Sequence, residues 1–152
     1  MQEGGAPGGA LAPFHIAVPT HDLAASRAFY GGLLGCAEGR SSATWIDWSL
    51  CGHQLVTHFA SASYRGADHF NGVDEDMVPV PHFGVCLTVP HFHDLAARMA
   101  AAKVAFIVAP HLRFAGQPGE QWTMFFKDPS GNNLEFKALV HPENLFAKYY
   151  VT

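Results

Sequence analysis

The sequence predicts an α+β fold in which two βαβββ modules pair into a half-open mixed β-barrel with the helices outside. Three observations predict it. An order of strand, helix, then two or three strands runs twice along the 152 residues. Each run opens on a strand with a histidine at or next to its start, His15 and His82. Both helices carry Asp-Leu-Ala-Ala, at 22–25 and again at 94–97. Overlaying the copies puts Gly52 on Gly131, Leu55 on Leu134 and Val56 on Glu135. One module alone would leave a sheet face bare, so two copies are expected to share a core.

Residues 1–13 are rich in Gly, Ala and Pro and are expected to form a flexible leader. Module one spans 14–60. Its first strand, 14–19, places His15 and Ala17 on one face and Ile16 and Val18 on the other. A helix follows to about Tyr30, with Thr20 and Asp22 as candidate caps and Gly31, Gly32 and Gly35 ending it. Strands at 43–50 and 53–59 meet at Cys51-Gly52. Residues 61–80 show no periodicity and read as a linker or surface loop.

Module two spans 81–139. A strand is expected at 82–89 and a helix at 91–102, with Leu95, Ala96 and Met99 as its buried stripe. Strands follow at 104–109, 121–126 and 132–139, with a polar loop at 110–120. The tail, 140–152, is expected to hold a short helix whose Leu145, Phe146, Tyr149 and Tyr150 pack back or onto a partner.

The last strand carries the chemistry. Asp128-Pro129-Ser130-Gly131 is a tight turn: proline presets φ, aspartate bonds the turn backbone and glycine suits the exit. In the strand after it, Leu134 and Phe136 share one face and Glu135 and Lys137 the other. A carboxylate flanked by two large apolar residues needs a partner. That partner is either a basic side chain across the sheet or a divalent metal, with His15 and His82 as further ligands. The three groups fall at repeat-related inward positions, which favours the metal.

Composition narrows the function. Charged residues are 14% of the chain and the net charge is −4, so there is no basic footprint for nucleic acid. No apolar run reaches the roughly 18 residues that span a membrane, and no secretory signal is evident. Cys36, Cys51 and Cys86 are odd in number and scattered, which fits buried thiols in a reducing cytoplasm. The low charge favours a homodimer.

Paired βαβββ modules, a histidine opening each, and a closing Asp-Pro-Ser-Gly-Asn-Asn-Leu-Glu strand resemble the vicinal oxygen chelate superfamily. It includes glyoxalase I, extradiol ring-cleaving dioxygenases, and fosfomycin and bleomycin resistance proteins. The resemblance covers residues 14–139 and implies four metal positions, here His15, Val56, His82 and Glu135. Valine cannot ligate, which separates this chain from glyoxalase I. The remaining two histidines and one carboxylate resemble the extradiol dioxygenase set. It implies a divalent cofactor, Fe(II) before Mn, Zn, Ni or Co, and a small substrate chelating through two vicinal oxygens. A metal-dependent lyase or isomerase and a non-catalytic drug-binding protein are the alternatives.

Around that set, His58 shares the inward face with Val56 and Gln54. It can serve as acid or base, as a substitute ligand, or as an ordinary strand-end histidine. Gln54, Val56, Arg113 and Trp122 are the expected substrate contacts. Arg113 would grip a carboxylate unless it is a surface residue, and Trp122 would form a wall unless it is core.

Overall fold

The structure, a computed structural model, describes residues 11–151, so all but the last three residues of the expected leader lie outside the described residues. The chain divides into two compact units, Met1–Tyr64 and Arg65–Thr152. Each carries one βαβββ module.

In the first unit, β1 (His15–Thr20) leads into α1 (Leu23–Ser26), a π-helix (Arg27–Leu33), β2 (Ala37–Ser41), β3 (Trp45–Leu50) and β4 (His53–Phe59). The Asp22 carboxylate caps α1, accepting from the Ala24 and Ala25 amides at 2.8 and 3.2 Å. The expected single helix is therefore one α turn continued as a π-helix. Gly31 and Gly32 lie inside that π-helix rather than ending the helix, and the Leu34 amide donates to Phe29, five residues back, at 2.9 Å. Phe29 and Tyr30 are both buried there.

Strand order is β1-β4-β3-β2, with β1 parallel to β4. Ile46, Trp48, Leu50, Leu55 and Thr57 alternate along β3 and β4 and are buried. Trp48 lies against Tyr30, ring centres 6.0 Å apart, and its indole N–H donates to the Thr57 hydroxyl at 3.1 Å. β2 was not foreseen. All five of its residues, Ala-Glu-Gly-Arg-Ser, are exposed, so it shows no apolar alternation.

The second unit opens with a hairpin, β5 (His69–Val73) and β6 (Asp76–Val80), inside the stretch expected to be a loop. Val78 packs with Val108 and Phe125, and Asp74 and Asp76 accept from the Phe114 amide and from Arg113, each at 2.8 Å. Then come α2 (Val89–Ala101), β7 (Phe106–Arg113), β8 (Gln121–Lys127), β9 (Asn133–Leu139) and one 3-10 turn (Pro142–Asn144). β7 runs into what was expected as loop. Thr88 caps α2, whose buried stripe is Phe92, Leu95, Ala96 and Met99.

The expected strand at 82–89 is reduced to two parallel bridges onto β9, Phe83 with Leu134 and Cys86 with Lys137, because the helix already begins at Val89. The order is then 83–86, β9, β8, β7, which repeats β1-β4-β3-β2. Registers agree as well. Ile16 opposes Leu55 in one module and Phe83 opposes Leu134 in the other. The residues just before are His15 and His82; those just after are Val56 and Glu135.

Two glycines make the second module possible. A Cβ on Gly84 would collide with the Glu135 carbonyl, so only glycine lets this segment lie against β9. Gly131 closes the turn with φ of 86°, and its amide donates to the Asp128 carbonyl at 3.1 Å. The Asp128 carboxylate accepts from the Ser130 and Asn132 amides, both at 2.9 Å. β9 leaves this turn with Leu134, Phe136 and Ala138 buried on the face opposite Glu135, and Phe136 stacked on Phe126 at 5.8 Å.

Of the three free cysteines only Cys36 is buried. Cys51 is exposed in the β3–β4 turn and Cys86 in the bridged segment, which corrects the expectation of three buried thiols. In the tail, the Tyr149 hydroxyl accepts from the Gly119 amide at 3.0 Å, while Phe146 and Tyr150 are exposed. No helix among the described residues is long and apolar enough to cross a membrane.

Replacing Gly84 by Ala is expected to destabilise the fold by about 1–3 kcal/mol through overpacking and to speed hydrogen exchange at the Glu135 amide, which donates to Phe83 at 2.8 Å. Unchanged exchange there would show that the close approach is unimportant. A second prediction concerns Asp68. Hydrogen bonds from Lys127 and Asn133, at 2.7 and 2.8 Å, hold its carboxyl below the usual range. Its folded value is depressed, so its stabilisation is complete above the unfolded value of about 4 and is lost as pH falls through the folded value. Urea unfolding of wild type and Asp68→Asn should differ most at neutral pH and converge below about pH 4; a gap that widens on acidification would refute this.

Candidate metal centre

The core of the site lies within the second unit and is made by two elements already fixed in place. Glu135 is buried at the middle of β9, opposite Phe125 of β8. Its Oε1 accepts from the Thr123 hydroxyl at 2.9 Å, and its Oε2 lies 3.2 Å from His82 Nε2 and 3.5 Å from Lys137 Nζ. His82 directly precedes the bridged segment, with its ring edge-on to Phe125 at 5.0 Å. Its Nδ1 donates to the Pro79 carbonyl at 2.7 Å, which leaves Nε2 as the nitrogen aimed at Glu135.

These contacts set the charges. Hydrogen bonding to Glu135 raises the His82 imidazole above its ordinary value, against the effect of burial. Burial pushes the Glu135 carboxyl up. The bond from His82, the Lys137 charge and the Thr123 hydroxyl together outweigh it and hold the group below the usual carboxylate range.

The donor set fits a divalent ion. Two ligand atoms each about 2.1 Å from an ion and at right angles are roughly 3 Å apart, close to the 3.2 Å between His82 Nε2 and Glu135 Oε2. A metal-ligating histidine typically donates its other ring N–H to a carbonyl or carboxylate, and ligating carboxylates are hydrogen-bonded in turn. Pro79 and Thr123 fill those roles.

His15 opens β1 in the first unit. Its Nδ1 bonds Gln54 Oε1 at 2.8 Å, so here too Nδ1 is committed and Nε2 is left free. Gln54 is its direct partner in the parallel register, and Val56, two residues on, is buried beside Ala17 and Asp47. His58 is exposed at the end of the same face, between Pro19 and Trp45, its ring 6.5 Å from that of Trp45. The structure thus brings together His82 with Glu135, and His15 with Gln54. Among the described residues, no group of three or more His, Cys, Asp or Glu side chains is disposed to hold a metal ion.

Two expected substrate contacts are occupied otherwise. Trp122 is on the helix side of β8, against Phe92 and His93 of α2 at 6.3 and 4.7 Å. It alternates with Thr123 and so points away from Glu135. Arg113 is neither a surface residue nor open to a ligand. It is 4% exposed and its Nη2 is bound to Asp76, so it ties the β5–β6 hairpin to β7.

Sequence reading missed Thr123 and the Pro79 carbonyl, and it placed Lys137 on the Glu135 face without giving it a role. Thr123 was within reach. A tight turn at 128–131 pairs Lys127 with Asn133, and counting outward puts Phe125 opposite Glu135 and Thr123 opposite Lys137. Pro79 belongs to the unforeseen hairpin and carried no signal.

Residues 12–136 match the model of the Glyoxalase/Bleomycin resistance protein/Dioxygenase superfamily. No curated protein matches the sequence. Among solved structures, a glyoxalase/bleomycin resistance protein/dioxygenase from Alicyclobacillus acidocaldarius is 29% identical with a TM-score of 0.74, over 89% of this chain and 96% of that one. Two others share the fold at 18% identity and a TM-score of 0.60. They are a fosfomycin resistance protein from Listeria monocytogenes, over 90% of this chain and 98% of that one, and a lactoylglutathione lyase from Agrobacterium tumefaciens, over 90% and 97%. With five-sixths of the chain matched and the module topology repeated in each unit, this protein belongs to the glyoxalase/bleomycin resistance protein/dioxygenase superfamily.

Proposed function

We propose that this chain is a metal-dependent enzyme with a two-histidine, one-carboxylate set, His82, Glu135 and His15. Its substrate is a small molecule that chelates through two oxygens, and its reaction is extradiol ring cleavage. The observation that carries this reading is the His82–Glu135 pair: both groups are oriented from behind, by Pro79 and Thr123, with their ligating atoms 3.2 Å apart. A bound divalent ion, Fe(II) before Mn, Zn, Ni or Co, would supply Lewis acidity and adjacent positions for a bidentate oxygen ligand and O₂.

The protein's own residues do the rest. Thr123 holds Glu135 by one oxygen, leaving the other to ligate. Lys137, 3.5 Å from that second oxygen, adds positive charge beside a site that is to receive an anionic chelate. Val56 leaves the fourth family position without a donor, which keeps one more position for substrate than a four-ligand site has. His58, on the same strand face as Val56 and Gln54, is the residue assigned to take the substrate's proton.

Protein purified without a polyhistidine tag should bind one equivalent of Fe(II) or Mn(II). His82→Ala and Glu135→Gln should each lose it with circular dichroism unchanged. Full metal in either variant removes that residue from the set. Thr123→Val should keep the metal but weaken its affinity about 10–100-fold, the range for lost partners behind a ligand. Anaerobically loaded Fe(II) protein should consume O₂ with catechols and give yellow ring-opened products. Metal binding without O₂ uptake would move the assignment to a lyase or isomerase of the same superfamily.

A further inference from the structure

Lys137 combines a fixed backbone with a movable charge. It lies on β9 two residues after Glu135, on the same face, opposite Thr123 of β8. Its amide donates to the Val85 carbonyl at 3.3 Å and its carbonyl accepts from the Leu87 amide at 2.7 Å, so the bridged segment holds it on the side away from β8. Its side chain is 30% exposed, and its ammonium stands 3.5 Å from Glu135 Oε2. Among the described residues it makes this ion pair and no shorter polar contact. A flexible four-carbon stem with three rotatable donors can turn without moving the strand.

The two oxygens of Glu135 have different neighbours. Oε1 accepts from the Thr123 hydroxyl, whereas Oε2 faces both His82 Nε2, at 3.2 Å, and Lys137. A divalent ion held by His82 and Glu135 would be bound through Oε2, the oxygen that Lys137 also faces. Ion and ammonium would then share one oxygen, and like charges so close repel. The carboxylate between them is buried, so solvent and salt screen little of that repulsion.

We infer that Lys137 sets the charge balance of the metal centre: it competes with the ion for Glu135 Oε2 and binds the anionic oxygen of the chelating ligand. The two effects have opposite signs. An ammonium on the carboxylate weakens the hold on a divalent ion. When Oε2 is given to the ion, the same ammonium has its three N–H donors to offer a negatively charged ligand. A lysine that only steadied Glu135 would strengthen both kinds of binding. The inference rests on the metal-enzyme reading and adds how that site favours an anionic ligand over a neutral one.

The test is calorimetry on the full chain, with Mn(II) alone and then with acetohydroxamate, a two-oxygen chelator that binds as an anion, added to the Mn(II)-loaded protein. Lys137→Met should bind Mn(II) about tenfold more tightly than wild type, and its loaded form should bind acetohydroxamate about tenfold more weakly, the scale of one charged contact. Lys137→Gln, which keeps a polar stem without the charge, should shift both affinities in the same directions. Lys137→Arg should keep both close to wild type. If both affinities fall together in Lys137→Met and Lys137→Gln, or neither changes, the inference is overturned and the metal centre stands. Mn(II) binding by none of the proteins removes the metal reading, and this inference with it.

Discussion

The contact on which the second module depends is between two stretches of backbone. Residues 83–86 run parallel to β9, with the Phe83 amide on the Asn133 carbonyl and the Glu135 amide on Phe83. Gly84 allows this by having no side chain where the Glu135 carbonyl passes. The same contact brings His82, one residue before the segment, beside Glu135, one residue after Leu134. Parallel pairing sets histidine and carboxylate side by side in a single register, and a slip of one residue would turn Glu135 into the helix-side core. Fold and site therefore share one constraint.

What surrounds the pair acts from behind. Pro79 comes from the β5–β6 hairpin and Thr123 from β8, so the imidazole and the carboxylate are oriented by different elements. The hairpin is held by Asp76 on Arg113 and by Val78 in the cluster with Val108 and Phe125. Arg113 is thus linked to the site through structure: it holds the strand whose end carries the Pro79 carbonyl. Its buried Nε has no hydrogen-bond partner, so the Asp76 bond and the faces of Phe114 and Phe125 are what hold it in place.

Much of this was legible in the sequence because it depends on local chemistry. Alternation marked β4, β8 and β9, the Asp128 turn marked the hairpin between the last two, and the 3.6-residue stripe marked α2. The overlay of Leu55 on Leu134 matched the observed registers because one strand order produces both. β2 was not legible, since a wholly exposed edge strand has no apolar pattern. Nor was the β5–β6 hairpin, where charged residues and Pro79 mask the inward Val73 and Val78. Trp122 was misplaced by residue type: its bulk suggested a pocket wall, whereas its position, one residue from Thr123, put it on the helix side. Arg113 looked like a ligand for substrate because its partner, Asp76, lies 37 residues away in a segment that read as loop.

The repeat also explains why the two modules are not chemically equivalent. Val56 faces Asp47 across β3 and β4; at the matching places Glu135 faces Phe125 across β8 and β9. Each module keeps one buried carboxylate and one apolar residue in this pair, but on opposite strands. On β9 the carboxylate lies next to the parallel segment that bears a histidine. On β3 it lies one strand further from β1 and faces β2, where its neighbour is Arg40 instead. An imidazole with Nε2 free can share a metal with a carboxylate, whereas a guanidinium has no lone pair to offer and can only hydrogen-bond it. Moving the acid by one strand therefore exchanges its imidazole partner for a guanidinium.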